Sequence, residues 1–190
     1  GVAYGAKILP LKSLGGSSSD LVEAIEYIVE LYQEGVINKV VINNSWGYNQ
    51  PGYFRSFKDV LDFAYDAGVI NVFAAGNNSA RAVFLGPNYH SKMIIVGNST
   101  IKDERDRGTA RAGFRNGSSY GTMVDVVAPG TDIVSTWNDL QYRSESGTSM
   151  ASPHVAGLIA LILEQHPEYT IEEIRSILRN TSDSVVFPEF

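Results

Sequence analysis

Apolar residues recur at two alternating periods along this chain, and the alternation predicts helices set between buried strands. Leu21, Ile25, Ile28, Val29 and Tyr32 share one helical face, opened by Asp20 and Glu23 at capping-box spacing and closed by Gly35. Residues 39–43 (K-V-V-I-N) form a short β-branched run typical of a buried strand. Phe54, Phe57, Val60, Leu61 and Ala64 return to helical spacing until Gly68, and residues 69–75 read as another buried strand. Residues 6–12 read as an earlier strand in spite of Pro10, residues 93–96 as a later one, and 123–127 and 133–135 as two more. Strands separated by helices of this length imply a parallel sheet with right-handed crossovers.

The last third predicts two helices. Residues 149–165 are apolar nearly all round, the pattern of a helix that runs through an interior. Thr170 and Glu173 form a second capping box, ahead of a half-buried helix carrying Ile171, Ile174, Ile177 and Leu178. Between residues 98 and 130 the pattern loosens into turns, and the mixed-charge run 102–107 reads as a solvated loop. With no internal repeat, linker or low-complexity stretch, the 190 residues read as one domain.

Composition narrows the function classes. Apolar residues at 44% and charged residues at 19% exclude a disordered chain and a coiled coil. A net charge of −6 has the wrong sign for a nucleic-acid partner, and the apolar stretch 155–163 is too short to span a bilayer. The absence of cysteine removes disulfides, thiolate metal sites and a thiol nucleophile together.

Parallel strands point their C-terminal ends to one edge, where α/β sheets bind ligands. Asn43-Asn44-Ser45 and Gly76-Asn77-Asn78 fall just past strand ends, and Gly147-Thr148-Ser149 opens the apolar helix. A hydroxyl, a side-chain amide and a helix N-terminus are the parts needed for acyl transfer through an oxyanion. Each also has a plain reading: a serine at a helix start is usually an N-cap, and an asparagine after a strand a turn former. Gly-x-Ser-x-Gly, the nucleophile elbow of α/β-hydrolases, is broken by Ala151.

The residues 147–157 (G-T-S-M-A-S-P-H-V-A-G) go further, because they match the nucleophile signature of the subtilisin-like serine proteases. Ala74-Ala75-Gly76-Asn77 resembles that family's oxyanion segment, and residues 41–47 (V-I-N-N-S-W-G) its substrate-binding strand. Gly1-Val2-Ala3, Val127-Ala128-Pro129-Gly130 and the closing helix follow in the family's order. The resemblance implies a three-layer α/β fold with a mostly parallel central sheet flanked by helices, its N-terminal strands missing from this chain. It implies a serine endopeptidase acting through an acyl-enzyme on Ser149, with Asn77 and the Ser149 backbone N–H holding the oxyanion. Ser45, Trp46 and Gly47 would line the specificity pocket and pair with a polypeptide substrate, with Ala75 and Gly76 as the other wall. Gly15 and Gly16, beside Leu14, would flank the substrate on its other side. His154 is structural in the family.

The family's base and orienting carboxylate come from His-Gly-Thr-His and Asp-Ser/Thr-Gly segments upstream of the Gly-Val-Ala turn. His90, His154 and His166 lack that context, and none of the ten aspartates precedes Ser-Gly or Thr-Gly. The expectation is therefore an inactive chain completed by an N-terminal segment carrying Asp and His; the alternative is a degenerate scaffold that binds peptide without cleaving it. The chemistry requires no cofactor. A structural calcium ion is an open expectation, with carbonyls of residues 90–93 as one place for it. Asn43 and Asn77 lie in glycosylation sequons at the expected site, where a glycan would block substrate. This points to a secreted or cell-surface bacterial protein, with an intracellular one left open.

Overall fold

A computed structural model describes residues 1–12, 17–46, 55–82, 90–108 and 117–184. Its elements are α1 (Ser18–Gln33), β1 (Val41–Asn44), α2 (Arg55–Asp66), β2 (Ile70–Ala74), β3 (Ile94–Ser99), β4 (Val126–Pro129), β5 (Ile133–Thr136), β6 (Tyr142–Glu145), α3 (Thr148–Gln165) and α4 (Ile171–Thr181). Strands β1 to β4 pair in sequence order and all in parallel, with Val41 opposite Ile70, Val72 opposite Ile94 and Val96 opposite Val126. Strands β5 and β6 form a separate antiparallel hairpin.

Because side chains alternate across a strand, the sheet feeds two cores. Ile42, Val69, Phe73 and Ala75 pack with Leu21, Ile25 and Val29 of α1 and Phe57 and Leu61 of α2. Ile70, Val72, Ile94, Val96 and Ala128 pack with Val155, Ile159 and Leu163 of α3 and Ile174 and Leu178 of α4. Three layers result: two helices, the parallel sheet, two helices.

Several expectations need correction. Residues 6–12 pair with no strand: Pro10 has no N–H to give a ladder, and Ile8 and Leu9 face solvent. The capping box of α1 is Ser17 with Asp20, not Asp20 with Glu23. The Ser17 N–H donates to the Asp20 carboxylate at 2.7 Å, and the Asp20 N–H to the Ser17 hydroxyl. Helix α3 is not buried all round, since Ala151, Val155, Ile159 and Leu163 are buried while Leu158 and Leu161 are exposed. In the run 102–107 the carboxylate-bearing Asp106 is buried. The Thr170–Glu173 box of α4 forms as expected, and the Thr170 N–H holds the Glu173 carboxyl below its ordinary value.

Charged groups fasten the helices at the end of the sheet where the strands begin. The Lys92 ammonium bonds to Asp62 of α2 and holds that carboxyl below its ordinary value. The pair's contribution is therefore present above the ordinary carboxylate range and is lost as pH falls through the folded value. The Asp125 side chain is fully buried; it accepts from the Ile95 N–H at 2.9 Å, Arg175 Nε at 3.1 Å and Arg179 at 2.8 Å. Arg175 also donates to the carbonyls of Ser91 and Met93. Removing one member of such a buried set leaves its partners desolvated and unpaired, so Asp125→Ala is expected to cost on the order of 3 kcal/mol. The shift in urea midpoint at constant m-value measures it.

Candidate active site

The site forms where β1 and β2 end and α3 begins. Its first part is a helix start without a capping side chain. Gly147 is the N-cap of α3 at φ 150°, a conformation L side chains rarely adopt, and an added Cβ would lie 3.2 Å from Asn77 Nδ2. Ser149 is the second residue of the helix, so its N–H has no acceptor within the helix and stands at the positive end of the dipole.

Asn77 comes from the turn after β2. Its Oδ1 accepts from the Thr148 N–H at 2.9 Å and from the Thr148 hydroxyl at 3.1 Å. The Thr148 hydroxyl oxygen accepts in turn from the Gly76 N–H at 3.1 Å. A backbone N–H demands an acceptor, so the amide's oxygen faces Thr148 and its NH2 group is left as the donor side. The β2 turn and the helix start thus define each other. Ala75 is buried, with its N–H bonded to the Val96 carbonyl at 2.9 Å, and Gly76 sits at φ 94°.

Ser45 and Ser149 exchange hydrogen bonds. The Ser149 hydroxyl donates to the Ser45 carbonyl at 3.0 Å, and the Ser45 hydroxyl donates to the Ser149 carbonyl at 2.8 Å. The second bond exists because of Pro153, four residues on: it has no N–H, so the Ser149 carbonyl has no helical donor. With its proton committed, the Ser45 oxygen accepts from Asn43 Nδ2 at 2.9 Å and from the Ser152 hydroxyl at 3.0 Å. Both lone pairs and the proton are used.

Of the other expected residues, Trp46 points its indole into the α2-side core, 5.2 Å from the Phe57 ring and 5.3 Å from that of Phe73. The indole is half-buried there, packed against the core rather than standing free at the site. Gly47, Gly15 and Gly16 lie outside the described residues. The His154 Nδ1–H donates to the Met150 carbonyl at 2.8 Å along its own helix, and His166 stacks on Tyr169. The sequence flagged Asn43 and Thr148 within polar clusters without giving either a role, and Ser152 went unflagged; the signal for their network was a proline four residues beyond a serine.

The chain matches the subtilase family, peptidase S8, over residues 1–189. It is 39% identical over 189 residues to a thermophilic serine proteinase of Bacillus sp. (strain AK1), covering 97% of this chain and 42% of the relative. It is 34% identical over 185 residues to subtilisin Savinase of Lederbergia lenta, covering 97% and 64%. A crystal structure of a cold adapted subtilisin-like serine proteinase superposes with a TM-score of 0.74 at 31% identity, covering 92% of this chain and 58% of that one. The chain spans about half the length of the curated relatives it matches.

The exchange between Ser45 and Ser149 makes a stability prediction. Ser45→Ala strips the Ser149 carbonyl of its donor at a place where Pro153 can supply none. We expect a loss of about 1–3 kcal/mol in urea unfolding. Ser45→Ala made together with Pro153→Ala, which restores the helical N–H, should recover part of it.

Proposed function

The chain belongs to the subtilase family, and on that footing we propose that Ser149 is the nucleophile of a serine endopeptidase that hydrolyses peptide bonds through an acyl-enzyme. The observation that carries this reading is the lock between Asn77 and Thr148, which leaves an amide donor and a helix N-terminus at the same serine. Attack of the Ser149 oxygen on a carbonyl carbon pushes an electron pair onto the carbonyl oxygen. Asn77 Nδ2 and the Ser149 N–H are the donors we assign to that oxyanion. Collapse expels the amine, which takes up the proton lost by Ser149, and leaves the acyl group on Ser149, to be removed by water.

The polypeptide substrate would lie extended past Ser45 and Trp46 as an added strand, with Ala75 and Gly76 as one pocket wall. A proton must also leave Ser149. The group that takes its hydrogen bond here is the Ser45 carbonyl, which is no base at neutral pH. We therefore infer that the chain is inactive alone, and that an N-terminal segment carrying the family's Asp and His completes the site.

The chemistry calls for no cofactor. At 90–93 the Ser91 and Met93 carbonyls already accept from Arg175, a cation of the chain itself, which weighs against the calcium ion expected there. Among the described residues no group of three or more acidic, histidine or cysteine side chains is placed to hold a metal. No described helix is long and apolar enough to cross a membrane. Relatives in Bacillus and Lederbergia support a bacterial source, and we propose a secreted or cell-surface location for the protein.

A fluorophosphonate probe tests the reading. This chain alone should show no rapid adduct on Ser149, whereas the full-length protein should label stoichiometrically. Rapid labelling of the isolated chain would reveal a base within it. A full-length protein that binds peptide but neither labels nor hydrolyses would be the peptide-binding scaffold instead. In the active protein, Asn77→Leu should lower kcat by roughly 10²–10³, or ~2.7–4 kcal/mol, with KM nearly unchanged; the range is that of losing one oxyanion donor in subtilisin itself.

A further inference from the structure

We propose that Asp106 is a positioning residue for the oxyanion site, acting through Asn98, Thr131 and Gly130 on Gly147. The inference rests on the reading of Ser149 and Asn77 given above. It starts from a buried carboxylate that this chemistry does not use: Asp106 is 5% exposed, although it belongs to a run whose neighbours 102–104 face solvent.

Three donors converge on that carboxylate. Asn98 Nδ2 donates at 2.8 Å and the Thr131 hydroxyl at 3.1 Å, both to one oxygen, and the Gly108 N–H donates at 2.8 Å to the other. The backbone is stitched as well: the Asp106 N–H donates to the Asn98 carbonyl, and the Asp106 carbonyl accepts from the Ser118 N–H. Asn98, at the end of β3, is fully buried. Its side chain therefore has one orientation, set by Asp106.

That orientation reaches the site through two glycines. A Cβ built on Gly130 would lie 2.4 Å from Asn98 Oδ1 and 2.6 Å from the Gly147 carbonyl oxygen, so the strand end passes between the two without spare room. The Gly147 N–H donates to the Gly130 carbonyl at 2.7 Å. Gly147 carries the Asn77 amide on its other side and leads directly into Thr148 and Ser149. Asn98 and Thr131 hold the Gly130 segment, Gly130 holds the Gly147 peptide, and Gly147 sets where the helix N-terminus begins. A shift of an ångström at a reacting centre can cost about 10²-fold in rate.

Asp106→Asn in the full-length protein tests this. Asparagine keeps the shape but has one acceptor oxygen for three donors, so its NH2 group must face a donor. We expect kcat on a peptide substrate to fall about 10- to 100-fold with KM within about twofold. Made in the Asn77→Leu background, the same change should cost several-fold less than in the wild type, because one of the two donors it positions is gone. Asn98→Asp combined with Asp106→Asn exchanges amide and carboxylate and should restore much of kcat. If Asp106→Asn fails to fold, Thr131→Val, which removes one hydroxyl link, should show a smaller loss in kcat with KM kept. A lower Tm with kcat unchanged, or an equal loss of kcat with and without the Asn77 donor, would overturn the proposal and leave the protease reading standing. A full-length protein that hydrolyses no peptide overturns both.

Discussion

The carbonyl that Pro153 leaves without a helical donor is the point on which the site's geometry turns. In an ordinary helix the Ser149 carbonyl would bond to the N–H four residues on, and one of the ties between the helix start and the end of β1 would be lost. Here it accepts from Ser45, and Ser149 returns a hydrogen bond to the Ser45 carbonyl. The stripe of Ala151, Val155, Ile159 and Leu163 supplies the hydrophobic attraction of α3 for the sheet. A stripe alone tolerates rotation and sliding. The polar contacts at the helix start, each worth about 1 kcal/mol net, select one register, and a slip of one residue would turn Ser149 by about 100°.

The two ends of the sheet are held by different physics. Where the strands begin, full charges do the fastening: Asp125 with Arg175 and Arg179, and Asp62 with Lys92. Where they end, the groups bonded to Ser149 and Thr148 are hydroxyls, amides and backbone, with the Asp106 carboxylate set behind them on Asn98 and Thr131. In the function proposed for Ser149, an oxyanion would need oriented dipoles that do not rearrange as charge develops, and neutral donors locked by one another suit that need.

Much of this was legible in the sequence, because periodicity reports burial. The α1 face, the buried β2 strand and the Thr170–Glu173 box all lie where the pattern puts them. The strand ends that deliver Ser45 and Asn77 followed from the parallel order. What stayed hidden depends on partners far along the chain. Residues 6–12 have strand composition but no ladder to join, and β6 (Y-R-S-E) is a strand through its pairing with β5. Trp46 follows a strand like a pocket residue, yet an indole is drawn to the rings of Phe57 and Phe73. Asp106 reads as one more solvated charge until Asn98 and Thr131 fold over it.

The separations along the chain at the site carry a kinetic consequence. Ser45 and Ser149 are 104 residues apart, and Asn77 and Thr148 are 71 apart. Such contacts are rewarded only after large loops have closed, and parallel pairing adds loops of its own. Folding should be slow, with the helix start docking only once β1, β2 and β3 are side by side. The same topology works in reverse: the bonds around Ser149 cannot open one at a time by fraying. The amide protons of Thr148 and Gly76 should therefore exchange with solvent only in rare, large openings of the sheet, and their protection would report the stability of the whole cooperative unit.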